Sequence, residues 1–450
     1  MDLLLVNTPI HDYGTYPRSD TSYSTPLGLF YIHASVVSQG YSCEILDAEA
    51  AKLSIEDIIR EINRAQPRFV GLNAFSVNYG FLEHISAGLP SCTKMILGGP
   101  HATLSSVMHI TTRLSFTDFV IRGSGERCVT LILKGVEGAN LPENVYFRGA
   151  DGVMHQGRGE LKVSNLRLEE LSLPSRRVTP FEPYQRDGLL WADIMVSKGC
   201  VYKCAFCSGS SHSSGMPYIQ RGVESTLQEL RFLSKEYAVK GVEIVDDLPF
   251  RNRRELFQFF EAIENAGLDF QWEFNLPITV AKTLKQSELH SLRKHGVSRI
   301  AFGVESGDEV IRKRVGKNAT DAEIISLCQM LRASGIIHKI YLIVGFPGEK
   351  KPETLSTIEL ASRICEDIGR NNLSRPRIFI FKPFPGSYYW RELLEQYTED
   401  ELLKYGDYSL ENSYFNKHAW STSIQMCETS TDELIGLIND FYNVFGLSPQ

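Results

Sequence analysis

Twice along this chain, short apolar runs alternate with stretches whose apolar residues recur every three or four positions. No other feature narrows the possible folds as far. In the first series "LLLVN" (3–7), "SCEILDA" (42–48), "RFVGLNAFS" (68–76), "KMILGG" (94–99) and "DFVIRG" (118–123) read as buried strands. "GLFYIHASVVSQG" and "IEDIIREINRAQ", between them, carry helical spacing. Such alternation implies an open, mainly parallel sheet. Ligands on these sheets sit beyond the carboxyl ends of the strands, where Gly-rich turns let a backbone approach closely. "LGGPHAT" (97–103) and "IRGSGE" (121–126) stand at such ends.

"NVYFRGADGVMHQ" (144–156) reads as a hairpin turning at "GADG". The stretch to about 189 is irregular, and "LSLPSRR" and "FEPYQRDG" mark a linker that packs on a neighbour. The second series supplies "DIMVSKG" (193–199), "GVEIVDD" (241–247), "FQWEFNL" (270–276), "SRIAFGVES" (298–306), "HKIYLIVGFPG" (338–348) and "RIFIFKPF" (377–384) as strands. Helical patterns such as "RRELFQFFEAIENAG" and "AEIISLCQMLRASG" separate them. Six strand–helix units suggest a partial or full barrel, with chemistry at the carboxyl-terminal strand ends. The expected class is therefore α/β. A Rossmann-like parallel sheet covers 1–145, a hairpin and linker 146–190, a (β/α)6 partial barrel 191–390, and a small helical region 391–450. Aromatic residues crowd that last part, among them Trp390, Tyr405, Tyr408, Tyr414, Phe415 and Trp420. They read as core packing or as a pocket wall or lid.

With 43% apolar and 22% charged residues over 450 positions, the chain has an ordinary soluble balance and length for several cores. A formal net charge of −7 argues against broad electrostatic attraction to nucleic acid or anionic lipid. The start, "MDLLLVNTPIHDYG", lacks a basic region, and its apolar run is too short for a signal peptide. No stretch approaches a transmembrane span, so a cytoplasmic location is the expectation. Of nine cysteines, six (Cys43, Cys92, Cys128, Cys328, Cys365, Cys427) are scattered and read as small buried apolar residues.

The other three lie together in "VSKGCVYKCAFCSGSSH" (196–212), as Cys200, Cys204 and Cys207. Clustered cysteines in a reducing compartment point to metal or redox chemistry. Thiolates hold zinc and iron–sulfur clusters. Zinc could recruit His212 as a fourth ligand, but Cys-x3-Cys-x2-Cys-x4-His is not among the common zinc spacings. Three thiolates on a cubic four-iron cluster leave one iron without a protein ligand, and an open position marks a catalytic metal. An inert loop is the remaining alternative.

"CVYKCAFC" resembles the motif of the radical S-adenosylmethionine (SAM) enzymes. The resemblance implies a 4Fe-4S cluster on the three cysteines. It also implies SAM chelating the free iron, and reductive cleavage of SAM to a 5′-deoxyadenosyl radical that abstracts hydrogen. Phe206 takes the motif's aromatic position, next to the adenine. "VEIVDDLPF" resembles the second-strand segment of the cobalamin-linked branch, which implies Asp246 and Asp247 near the SAM amino group, a natural carboxylate partner. A helix cap and first-turn acid pair is the alternative there, and many members carry Gly-Gly-Glu instead. "FGVESGDE" resembles the fourth-strand segment and implies Glu305 and Ser306 near the SAM ribose or carboxylate. "YLIVGFPGE" implies Val344 and Gly345 against adenine, or a structural turn, and "FKPFPGSYYW" resembles the sixth-strand exit.

The first segment resembles the cobalamin-binding domain that precedes this branch, through "STPLGLFYIHASVVSQGY", "LDAEA", "VGLNAFS", "GGPHAT" and "DFVIRGSGE". Cobalamin is then expected to lie flat on the strand ends, facing the barrel rim. The implied contacts are Thr25, Leu27, Asp47, Asn73, Phe75, Ser76, Gly98, Gly99, His101, Gly123 and Glu126. Asp-x-His-x-x-Gly, which supplies a lower histidine to cobalt, is missing, and His101 in "GGPHAT" does not recreate it.

The resemblance implies a cobalamin-dependent radical SAM methyltransferase. One SAM methylates the cobalamin, and a second yields the radical that opens an unactivated carbon to the methyl group. Cyclisation, rearrangement or oxidation without methyl transfer is the alternative, and a non-catalytic metal-stabilised binding module is the third. The expected partners are a small-molecule, lipid-like or peptide substrate and an electron donor such as flavodoxin or ferredoxin. Nucleic acid is not expected. The linker 150–190 and the aromatic C-terminus would close the cavity against water and oxygen.

Overall fold

The computed structural model describes all residues except 11, 12, 14–23, 77, 160–166, 175, 177, 178, 180, 181, 211–213, 369–372, 407–423 and 448–450. His212, Tyr408, Tyr414, Phe415 and Trp420, and the side chain of Tyr405, lie outside the described residues.

The first sheet comprises β1 (Leu3–Asn7), β2 (Cys43–Asp47), β3 (Phe69–Asn73), β4 (Lys94–Gly98), β5 (Thr117–Ile121), β6 (Val145–Arg148) and β7 (Met154–Gln156), in the order β2-β1-β3-β4-β5-β6-β7. The first five are parallel, and β6 and β7 add an antiparallel edge. The hairpin turns at "GADG", where Gly149 N–H donates to the Val153 carbonyl at 2.8 Å and Gly152 takes φ +77°. Successive side chains point to opposite faces of a strand. Leu4, Val6, Val70, Leu72, Met95 and Leu97 therefore enter one core, and Leu3, Leu5, Phe69, Ile96 and Ile121 the other. Helices α1 (Leu27–Ser38) and α6 (Glu126–Leu133) cover the second face. The first is covered by α2 (Ile55–Ala65), α3 (Tyr79–Ala87), α4 (Pro100–Leu104) and α5 (Val107–Arg113). Helix α2 starts sharply because Ser54 Oγ accepts from Asp57 N–H at 3.1 Å while Asp57 accepts from Ser54 N–H.

The second sheet has β8 (Gln185–Arg186), β9 (Leu189–Ile194), β12 (Gly241–Ile244), β13 (Gln271–Asn275), β14 (Val297–Glu305), β15 (Ile337–Val344) and β16 (Ser374–Ile380), in the order β16-β15-β14-β13-β12-β9-β8. From β9 to β16 every pairing is parallel. The sheet is a curled half-barrel, open between β16 and β8. Its helices are α7 (Val223–Tyr237), α8 (Arg253–Asn265), α9 (Ile278–Ala281), α10 (Gln286–Lys294), α11 (Glu309–Arg314), α12 (Asp321–Ala333) and α13 (Lys351–Ile368).

The strand expected at 193–199 instead runs 189–194. The Asp246 carboxylate accepts from Val196 N–H at 2.8 Å and Ser197 N–H at 2.6 Å, which takes that backbone out of the ladder. The chain resumes as β10 (Ser197–Lys198), paired with β11 (Ile219–Gln220), so a two-stranded ribbon ties both feet of the cysteine loop.

Three C-terminal helices follow, α14 (Tyr388–Leu393), α15 (Glu399–Gly406) and α16 (Thr431–Phe445). Leu434, Ile438, Phe441 and Tyr442 of α16 join the barrel core, and Tyr442 hydroxyl accepts from Ile378 N–H at 3.0 Å. Trp390 packs with Phe346, Phe381 and Tyr389 behind Ala205, so this aromatic is core. Among the described residues no helix is long and apolar enough to cross a membrane.

A buried charge network docks the first sheet on the barrel. Glu229 of α7 accepts from Arg176 at 3.1 Å, from Arg221, and from the Tyr31 hydroxyl of α1 at 3.2 Å. Arg176 also donates to the Asp193 carbonyl at 2.7 Å and lies over the Phe30 ring. Asp193 itself accepts from Thr25 N–H at 2.7 Å, fixing the approach to α1.

Candidate active site

The cysteine loop leaves the barrel rim after β10 and is held by backbone contacts on both sides. Ala205 N–H donates to the Val315 carbonyl at 3.2 Å, and the Ala205 carbonyl accepts from Tyr389 N–H at 3.1 Å. Cys207 N–H donates to the Cys204 carbonyl at 3.1 Å, closing a turn that brings these two cysteines together. Burial pushes the Cys207 thiol up to about 12 and raises Cys200 and Cys204 as well. Such thiols need cationic help to ionise, as an iron cluster or a neighbouring ammonium supplies. Lys317 supplies part of it beside Cys204. Among the described residues no three His, Cys, Asp or Glu side chains converge on one ion. Cys200 and Cys204 both act electrostatically on Cys207, so the three thiols share one neighbourhood, as ligands of a single cluster must.

Lys317 is the residue that sequence reading missed. Its ammonium pairs with Glu305 at 3.1 Å and lies 5.8 Å from the Phe206 ring centre. Burial works against its charge, but Glu305 and Cys204 outweigh burial and hold it above the ordinary lysine value. Glu305 sits at φ +71°, a conformation costly for a residue with a side chain, and the kink folds its carboxylate back over Gly303.

The two neighbouring aspartates separate by role. Asp246 is consumed by Val196, Ser197 N–H and Ser197 Oγ, and burial pushes it up to about 7 despite those donors. Asp247 faces the cavity described below, its carboxyl raised by burial. Ser306 is fully buried, accepting from Asp308 N–H at 3.1 Å. Val344 is in the barrel core, and Gly345, at φ +82°, turns the chain beside Leu434. Neither lines the cavity.

That cavity, about 950 Å³, lies between the strand ends of the first sheet and the cysteine loop. Thr25, Leu27, Asn73, Phe75, Gly98, Gly99, Gly123 and Glu126 line it from one side, and Phe206, Cys207, Gly209 and Asp247 from the other. Cys200 and Cys204 lie behind Cys207, off the cavity wall. A Cβ added at Gly28 or Gly98 would meet nothing within 4 Å, so these glycines border open space of the kind a flat macrocycle needs. Lys198, unremarked in the sequence, spans the two sides: its ammonium donates to Ser124 Oγ at 2.7 Å and pairs with Glu126 at 3.2 Å.

Three expected cobalamin contacts are engaged elsewhere. Asp47 accepts from the Tyr184 hydroxyl, from Asn7 Nδ2 at 2.8 Å and from Ala50 N–H at 3.2 Å. His101 is 1% exposed, with Nδ1 at 3.0 Å from Ser76 Oγ and Nε2 at 3.1 Å from Ser105 Oγ. Burial lowers its pKa to about 3, so it is a neutral core imidazole that occupies Ser76 as well. Far-separated partners such as Tyr184 left no local signal.

Two family models match the chain in tandem, the B12 binding domain over 18–133 and the radical SAM superfamily over 194–361. This chain belongs to the B12-dependent radical SAM family. Its cofactors are thus a 4Fe-4S cluster, SAM and cobalamin, and the donor set and glycine-bordered cavity fit them. An uncharacterized methyltransferase of Pyrococcus horikoshii is 28% identical over 403 residues, covering 87% of this chain and 82% of the relative. The anaerobic magnesium-protoporphyrin IX monomethyl ester cyclase of Cereibacter sphaeroides is 23% identical over 84% of this chain, which spans only 62% of that relative. Among solved structures, the radical S-adenosylmethionine methyltransferase TsrM from Kitasatospora setae, with cobalamin and cluster bound, superposes with a TM-score of 0.66 at 15% identity. The match covers 88% of this chain and 75% of that one. At that identity the likeness is one of fold.

Proposed function

We propose that this B12-dependent radical SAM enzyme methylates an unactivated carbon of a small molecule, drawing electrons from a flavodoxin- or ferredoxin-type donor. The carrying observation is a cavity bordered both by the strand ends of the first sheet and by the cysteine loop. When bound, the cluster, SAM and cobalamin supply a radical initiator and a transferable methyl group. Cys200, Cys204 and Cys207 would hold the cluster, with Lys317 offsetting thiolate charge on its Cys204 side. Asp247, not the consumed Asp246, is the carboxylate available to an ammonium at the cavity wall. Thr25, Leu27, Asn73 and the glycines at 98, 99 and 123 would seat cobalamin. Phe206, Phe384 and Met216 help exclude water from the space between.

The likeness to a cyclase supports a second reading, radical chemistry on the same cofactors without methyl transfer. Anaerobic reconstitution with iron, sulfide and cobalamin tests both, by bound iron, deoxyadenosine formation and the fate of methyl-labelled SAM. Cys204→Ala should abolish deoxyadenosine release. Label in the product identifies methyl transfer; product without label selects the second reading, and cleavage surviving all three Cys→Ala changes overturns the site.

A further inference from the structure

The cysteine loop has two sides, and the cavity occupies one of them. Phe206 and Cys207 line it, while Cys200 and Cys204 stand off its wall. On the other side the loop lies against the turn that ends α11. A Cβ built on Gly316 would stand 3.4 Å from the Cys204 Cα and 3.5 Å from the Lys203 carbonyl oxygen. Gly316 is itself exposed, so the protein covering Cys204 is thin here. Ala205, between Val315 and Tyr389 in its backbone hydrogen bonds, fixes the loop between α11 and α14.

Around this spot the surface changes character. Val310 is 75% exposed, Tyr388 57% and Val201 51%. Helical spacing puts Val310, Lys313 and Arg314 on one face of α11. Arg314 donates to the Pro347 carbonyl at 3.2 Å and acts electrostatically on Tyr389, which sets it on the α14 side. Across α11, α14 and the loop 200–207, the exposed cations are Lys203, Lys313, Arg314 and Arg391, and the exposed carboxylates are Glu309 and Glu392. Among the described residues the ammonium groups of Lys203 and Lys313 make no ion pair or hydrogen bond. A chain of net charge −7 thus turns a locally positive face outward behind its cysteines. Apolar side chains with a charged rim have the anatomy of a protein interface, and the sign of the rim selects an acidic partner.

We propose that this face, built from Val201, Lys203, Val310, Lys313, Arg314 and Tyr388, docks an acidic one-electron carrier protein. The proposal rests on the reading above in requiring an electron donor, and uses none of its product chemistry. Bound cofactors would fill the cavity side of the loop, which leaves the outer side for the electron to enter. The carrier is oxidised by one electron and the centre held by Cys200, Cys204 and Cys207 is reduced by one. No bond forms or breaks between the two proteins.

The reconstituted full-length protein, mixed anaerobically with flavodoxin hydroquinone and separately with reduced ferredoxin, tests this by stopped-flow bleaching of the cluster without SAM. At low salt the double variant Lys203→Glu/Lys313→Glu should be reduced about tenfold more slowly than the parent. The parent's rate should fall as sodium chloride rises, and the variant's should not. Photoreduced deazariboflavin, small and uncharged, should reduce both proteins equally. Lys240→Glu/Lys294→Glu makes the same change of charge before β12 and at the end of α10, at the amino-terminal ends of the barrel strands. That pair should stay within about twofold of the parent, since distant charges are screened. Carbodiimide cross-linking read by mass spectrometry should join carrier carboxylates to Lys203 and Lys313 ahead of other lysines. The proposal is overturned if the double variant is reduced like the parent, if the distant pair slows reduction as much, if the cross-links fall elsewhere, or if neither carrier reduces the parent. It is overturned too if the double variant loses only binding to duplex RNA or phosphatidylglycerol vesicles, which assigns the face to another polyanion. The methyl-transfer reading fails on label in the product, which none of these measurements uses, so the two failures are separately visible.

Discussion

Glu229→Gln probes the joint that sets the first sheet against the barrel. Glu229 is 1% exposed and accepts from Arg176 and Arg221, both nearly as buried, and from Tyr31 of α1. The amide keeps the shape but removes the negative charge and presents an NH2 group to a guanidinium. Two charge-assisted hydrogen bonds are weakened, each worth about 1.5–3 kcal/mol. Breaking a buried ion pair from one side costs about 3–5 kcal/mol by direct precedent. Both figures describe the same loss and are not summed, so the expected destabilisation is about 3–5 kcal/mol. Tyr31→Phe removes a hydroxyl that donates to Glu229 and accepts from Arg221 at 3.4 Å, and should cost about 1–2 kcal/mol. The double variant should lose less than the sum, because the two changes share a partner. The measurement is urea unfolding followed by circular dichroism, with the first transition compared, since a chain with several cores need not unfold in two states. A loss under about 1 kcal/mol for Glu229→Gln, or strict additivity with Tyr31→Phe, refutes the reasoning.

Gly99→Ala should destabilise by about 1–3 kcal/mol and lower cobalamin retention measured by absorbance. Gly99 has φ +100°, and its new Cβ would stand 2.7 Å from the Ala74 carbonyl oxygen. His101 should make stability pH-dependent. Its folded pKa, about 3, lies below the unfolded 6.5, so the folded state binds fewer protons between those values. The stabilisation is complete above pH 6.5 and falls away toward pH 3, by about 2 kcal/mol at pH 5. In His101→Asn the urea midpoint should vary less over that range. His338, lowered to about 4 by burial, titrates in both proteins and cancels in the comparison.

By itself the sequence determined what depends on neighbours along the chain. Short apolar runs separated by period-three-to-four patterning specified two mainly parallel sheets, since a strand covered on both faces is apolar throughout and its helices bury one side. Cys200, Cys204 and Cys207 are close because eight consecutive positions can hold them nowhere else, and the turn glycines mark strand ends for the same local reason. Tertiary structure decided which polar groups remain available. Asp246 and Asp247 are adjacent and chemically identical, yet one is spent on the backbone of Val196 and Ser197 while the other faces the cavity. Asp47 was drawn away by Tyr184, 137 positions distant, and Lys317 reached Glu305 because the chain folds back after α11. A buried polar group takes the nearest partner in space, and sequence separation carries no record of that distance.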